Sequence, residues 1–140
     1  MQISYNFKRR NHKILRKFKD IERVNGIELK PIEKYIIQNY QSFMNLDNDT
    51  LEILFNQKRT RYYAARRNLL VYCLRKYNKT TWERIADVLN KNHATIIHSY
   101  RQAEDYKLDM YGYEFGSNAM KQIDSFMTNK IKEYKDAKMD

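Results

Sequence analysis

His93, His98 and Cys73 are side chains whose types invite metal ligation or nucleophilic chemistry in this chain of 140 residues. Their spacing points away from both. Two histidines five positions apart on a helix diverge by about 140°, so they cannot share one ion. No Cys or carboxylate stands at ligand spacing with them. Cys73 falls on the apolar stripe of Leu69, Leu70, Leu74 and Tyr77, where a free thiol behaves as a small buried hydrophobe. No glycine-rich phosphate loop occurs anywhere in the chain. The expectation is a protein that is not an enzyme and takes no metal, nucleotide or other cofactor.

Charge offers a different chemistry. The chain carries 27 basic and 17 acidic side chains, a formal charge of +10. Two clusters hold the excess: Lys8, Arg9, Arg10, Lys13, Arg16, Lys17 and Lys19, and then Lys58, Arg59, Arg61, Arg66 and Arg67. A polyanion partner follows, because each neutralised phosphate releases counterions. The plainer alternative is a pair of solvated helix faces. For the 58–67 run the functional reading is an arm that reaches phosphates or enters a narrow minor groove. From residue 102 onward acids outnumber bases, so this end faces away from phosphates and packs back onto the domain or pairs with another copy.

The elements that must position these charges are helical nearly throughout, an all-α fold with flanking N- and C-terminal helices. Three Gly and one Pro are too few for a turn-rich sandwich or barrel. A mean hydropathy of −0.88 predicts no membrane span, and no secretory signal is expected. The single Cys fits a reducing cytoplasm. Ile14, Phe18 and Ile21 predict an amphipathic stretch near 11–24, closed by Asn25-Gly26 as a helix terminus. Pro31 suits the first turn of a helix carrying Ile32, Ile36, Tyr40 and Phe43. Asp47 to Thr50 supply caps before Leu51, Ile53, Leu54 and Phe55. Met110–Gly116 has no period and reads as a loop, and Ala119, Ile123, Phe126, Met127 and Ile131 mark a last amphipathic helix. The expected division is a basic arm over 1–29, a central helical domain over 30–108, and a loop with a C-terminal helix over 109–140.

Within the middle segment, Thr80-Thr81-Trp82-Glu83 reads as a capping box with Thr80 as the cap. Ile85, Val88 and Leu89 follow on one face. Asn92 then caps a second helix from His93, on which Ile96, Ile97 and Tyr100 oppose Thr95, His98 and Gln102. A short helix, a three-residue turn and a second helix with a polar outer face make a helix-turn-helix. Such a unit offers the start of its second helix to the major groove, and Thr95 could touch a base edge there.

Lys58 to Arg101 resembles the C-terminal DNA-binding domain (domain IV) of DnaA, the bacterial chromosomal replication initiator, with its helix-turn-helix of the tryptophan-repressor type. The run Lys91-Asn92-His93-Ala94-Thr95-Ile96-Ile97-His98-Ser99 matches the start of the family's recognition helix. Thr81-Trp82-Glu83-Arg84-Ile85-Ala86 is similar to its Ser-Leu-x-x-Ile-Gly, and Lys58-Arg59-Thr60-Arg61 to its basic loop. A looser match reaches back to about Ile32. The resemblance implies sequence-specific binding of double-stranded DNA. It places base reading on Asn92, His93, Ala94 and Thr95, with Arg59 in the minor groove. Phosphate holding falls on Lys58, Arg61, Arg67, Arg75, Thr81, Lys91 and His98.

Three departures bear on which bases are read. Asn92 stands where the family has Asp, which exchanges an acceptor-only carboxylate suited to cytosine for an amide that can pair with adenine. Ala94 stands for Thr, keeping a methyl and losing a hydroxyl. The turn is one residue shorter and lacks the family's glycine pair. The initiator's ATPase domain is not expected either, since only about 57 residues precede the resemblance and hold no phosphate loop. The expectation is a DNA-binding regulator of replication or transcription, cytoplasmic and nucleoid-associated. The alternatives are a non-specific nucleic-acid or structural protein, or an adaptor that meets the initiator through its C-terminal helix. Ile, Lys, Asn and Tyr make up 54 of the 140 residues, an AT-rich usage that hints at a phage or mobile element acting in a host cytoplasm.

Overall fold

Six α-helices, a two-stranded hairpin and one 3₁₀ turn account for the regular structure of a computed structural model that describes residues 22–56 and 60–138. The basic stretch 1–21 and residues 57–59 and 139–140 lie outside the described residues, and with them most of the amphipathic stretch expected near 11–24.

Asn25-Gly26 is a correction to the sequence reading. It does not end a helix but turns the hairpin of β1 (Arg23–Val24) and β2 (Ile27–Glu28), paired Arg23 with Glu28 and Val24 with Ile27. Both turn residues have positive φ, 51° and 80°, the backbone that Asn-Gly supplies best and that matches strand twist. The Asn25 amide then donates to the Phe55 and Val88 carbonyls at 3.0 and 2.8 Å. This pins the hairpin across the ends of two later helices.

Helix α1 (Pro31–Met44) starts at Pro31 as expected, and Glu33 Oε1 accepts the Lys30 N–H at 2.8 Å. Its buried face is Ile36, Ile37 and Tyr40. Helix α2 (Asn48–Leu54) is capped by Asp47, which accepts the Thr50 N–H at 2.7 Å. Helix α3 (Arg61–Asn78) is the axle of the fold. Leu69 to Leu74 are buried all the way round it, and α1, α2 and three later helices pack on it. Cys73 is fully buried there, and burial pushes its thiol well above the usual range.

Helices α4 (Trp82–Leu89) and α5 (His93–Asp105) form the helix-turn-helix. Thr81, not Thr80, caps α4, accepting the Arg84 N–H at 3.1 Å. Thr80 is buried one step earlier, where its hydroxyl accepts from Asn78 and its carbonyl from Arg75. Asn90 (φ 52°) closes α4 in the left-handed region, and Asn92 caps α5 through the Thr95 N–H at 2.8 Å. Ile85, Leu89 and Ile96, all fully buried, lock the two helices together over α3. Arg84 ties the unit to α1: it donates to both oxygens of Glu33 at 2.9 and 2.8 Å, and to the Glu28 carbonyl. Burial opposes ionisation of Glu33, but the bonds from Arg84 and from Lys30 N–H outweigh it and hold the carboxyl below the usual range.

After a 3₁₀ turn (Tyr106–Leu108) and the loop that follows it, α6 (Ser117–Lys138) returns across α1 and α3. Met120, Ile123, Met127 and Ile131 face inward. Tyr35 donates to the Lys130 carbonyl at 2.9 Å, Phe43 meets Phe126, and Tyr72 and Tyr77 both donate to Asp124. One buried apolar cluster therefore runs from Val24 to Ile131.

Candidate nucleic-acid interface

The first turn of α5 stands clear of the core. Asn92, His93, Ala94 and Thr95 are all exposed, because the next inward position is Ile96 and the cap leaves the chain no reason to fold back over them. His98 is exposed one turn further on, and Lys91 is half-buried in the turn before. Of the seven candidates that the described residues contain outside α3, none is buried. Asn92 is partly committed: its Oδ1 holds the Thr95 N–H, so a bidentate grip on adenine would compete with the cap. Thr81 is exposed at the start of α4; its oxygen takes the Arg84 N–H, while the hydroxyl hydrogen is left to donate.

Across from α5, the start of α3 brings Arg61 to the same place. Arg61, Asn92, Thr95, His98 and Gln102 share the lining of one open cleft of about 520 Å³ with the Gly112–Glu114 loop. Glu114 is the one carboxylate in that lining, and it is paired with Arg66, whose guanidinium also lies 3.6 Å above the Tyr62 ring. The sequence reading left Gln102 without a role and the 110–116 loop without a position. Nothing in the composition of that loop signals that Tyr106 and its neighbours fold it back beside Arg61.

The two remaining α3 arginines behave differently from Arg61. Arg67 was expected to hold a phosphate but is buried, with 6% of its surface exposed. Its guanidinium donates to the carbonyls of Leu54, Ile53 and Asn56 at 2.7, 3.3 and 3.3 Å, and burial lowers its pKa. It satisfies the open C-terminal end of α2, a requirement every helix has, and so fixes where the chain leaves α2 for the basic run. Arg75 is half-buried, lies 4.1 Å over the Trp82 ring and donates to the Thr80 carbonyl at 3.0 Å. It holds the entry to α4. Lys58 and Arg59 lie outside the described residues.

No group of three or more His, Cys, Asp or Glu side chains among the described residues is placed to hold a metal ion. No helix among them is long and apolar enough to cross a membrane. The comparison with known families agrees with the geometry. Residues 35–103, from the second turn of α1 to the end of α5, match the family described as bacterial dnaA protein helix-turn-helix. No curated protein and no solved structure gave a significant match. The family's domain binds DNA and is not catalytic. Its match takes in the axle α3, both helices of the helix-turn-helix and the exposed first turn of α5, so residues 35–103 are similar to the bacterial DnaA helix-turn-helix family.

Proposed function

We propose that this chain reads a short site in double-stranded DNA, with α5 in the major groove, and acts without a catalytic step in the control of replication or transcription. The observation that carries the reading is the exposed row His93, Ala94 and Thr95 at the start of α5, with Thr95 lining a cleft shared with Arg61. An α-helix fits the major groove, where every base pair has its own donor and acceptor pattern. His93 and Thr95 supply polar contacts, Ala94 a methyl-sized one, and Asn92 an amide that is half spent on its cap.

Phosphate contacts set the register without reading sequence. Arg61, Lys91 and His98 surround the reading row, and Thr81 offers its hydroxyl at the start of α4. Lys58 and Arg59 belong to the same reading through the resemblance, with Arg59 in the adjacent minor groove. Arg67 and Arg75 are positioning residues in this scheme. They hold residues 53–56, which lead toward the basic run, and residues 80–82, which open the helix-turn-helix.

Selection of binding sites from random duplex, followed by titration against a scrambled duplex at physiological salt, tests the proposal. Enrichment of one motif with at least about a hundredfold preference supports it. Equal binding to both duplexes would overturn it in favour of non-specific nucleic-acid binding.

A further inference from the structure

The segment between α5 and α6 presents an unusual surface. Leu108 and Met110 are exposed, and Tyr111 is 104% exposed, as free as in an extended peptide. Three neighbouring apolar side chains left uncovered in water are costly. They are not there because the loop is loose. Asp109, at φ 54°, accepts both the Ser117 N–H and the Ser117 hydroxyl at 2.7 and 2.8 Å. The Tyr113 N–H bonds back to the Met110 carbonyl, closing a tight turn around Tyr111 and Gly112. Gly112 takes φ 90°, a backbone that side chains rarely adopt. Tyr113 packs edge-on against buried Tyr106, and Glu114 is paired with Arg66. The frame is anchored on both sides, and the apolar tip is held out from it.

The tip also has an address. A Cβ on Gly112 would lie 3.9 Å from Arg61 Nη2, and the 112–114 loop forms the wall of the cleft opposite Asn92, Thr95 and His98. We infer that Leu108, Met110 and Tyr111 form a second, apolar DNA contact, in which Tyr111 lies against the deoxyribose edges of the strand that leaves the α5 footprint past Arg61. This rests on the proposed binding of duplex DNA by α5, and it is a contact with sugar edges rather than with the phosphates that the acidic stretch beyond residue 102 is expected to avoid. Apolar side chains are used against base steps at a groove, the apolar edge of deoxyribose offers them a like surface, and a rigid loop meets it with little further loss of entropy. A second protein chain is the weaker occupant. Three exposed side chains fall far short of the roughly 800 Å² per partner of a stable interface. The adjoining 112–114 loop lines the cleft, which points to the same ligand as α5.

The test compares wild type, Tyr111→Ala and Tyr111→Phe by fluorescence anisotropy. The duplexes are the selected site with long flanks, the same site trimmed to the α5 footprint, and a long mixed-sequence duplex. Tyr111→Ala should bind both long duplexes about tenfold more weakly with an unchanged salt slope. It should match wild type on the trimmed duplex, and Tyr111→Phe should keep most of the affinity. Tyr111 makes no packed contact at full exposure, so thermal melting of the variants should coincide with wild type. Equal affinity of Tyr111→Ala and wild type on the long duplexes overturns the inference, and a change in self-association in its place assigns the tip to a protein contact. Failure of base reading is separate: it appears as indifference to the selected motif and to Thr95→Ala, and the mixed-sequence duplex still decides the role of Tyr111.

Discussion

Arg61 and Arg67 lie on the same helix, within one run of basic residues, and do opposite work. Arg61 is exposed at the first turn of α3 and lines the cleft beside α5. Arg67, under two turns later, is buried and donates to three carbonyls at the end of α2. An exposed guanidinium keeps its donors for a phosphate and is neutralised at little desolvation cost. A buried one has already spent them, and its charge is held by dipoles of the helix end it closes. The same contrast separates the solvent-facing start of α5 from the Glu33–Arg84 pair beneath α4. Residue type states which contacts are possible, and burial decides which are made.

The comparison breaks most sharply at Arg67. Arg67→Ala should destabilise the fold by about 3 kcal/mol or more, because three carbonyls lose their donor in a buried site. Arg67→Met, which keeps the volume and removes the donors, should cost nearly as much. Urea unfolding measures both, and a loss below about 1 kcal/mol would mean the carbonyls find water and the clamp is not structural.

Glu33 sets the second test, with a pH signature. Its carboxyl is held below its ordinary range in the fold, so the pair contributes fully above the unfolded value and its contribution fades as pH falls through the folded one. Glu33→Gln should cost about 2 kcal/mol near neutrality, with the Arg84 guanidinium left beside a neutral amide. Its stability should also fall less steeply than that of wild type on going to acid. Parallel pH curves for the two proteins would show that other carboxylates carry the acid response.

These two clamps were the part of the molecule that sequence did not disclose. A run such as Lys58 to Arg67 reads as one continuous basic face, and nothing in its spacing says that α3 begins at Arg61 and turns position 67 inward against α2. Asn25-Gly26 failed for a related reason. Left-handed Asn and Gly close helices and turn hairpins with the same backbone, and the partners that settle the matter, Phe55 and Val88, are 30 and 63 residues away. Thr80 and Thr81 differ only in which hydroxyl faces the helix start. What was legible depended on neighbours in sequence: Pro31 opening α1, Asp47 and Asn92 capping α2 and α5, and the two faces of α5. The exposed half of the candidate site was therefore readable, and its buried supports were not.

On the exposed side the expected effects are smaller and fall on binding. Thr95→Ala and His93→Ala should each lower discrimination between the selected site and a mismatched one by about 1–2 kcal/mol, with folding stability changed by no more than about 0.5 kcal/mol. Competition titrations on single-base variants of the site give the number. Of the two, Thr95 has its backbone N–H tied to the Asn92 cap while its side chain is exposed, so the alanine variant removes a contact and leaves the cap in place.

Arg61→Ala is the finest test of the contrast with Arg67. It should leave the unfolding midpoint within about 0.5 kcal/mol of wild type, since an exposed side chain closes no carbonyl. Binding should weaken by a similar factor on the selected site and on scrambled duplex, because a phosphate looks the same at every step. The slope of log K against log salt should fall by about 0.9, the release of one counterion. Arg61→Lys should restore that slope, since the ion released depends on charge rather than on the fork of the guanidinium. If Arg61→Ala instead relaxes preference at one base pair and leaves the salt slope unchanged, Arg61 is reading a groove, and the division between reading by α5 and holding by α3 must be redrawn at that residue.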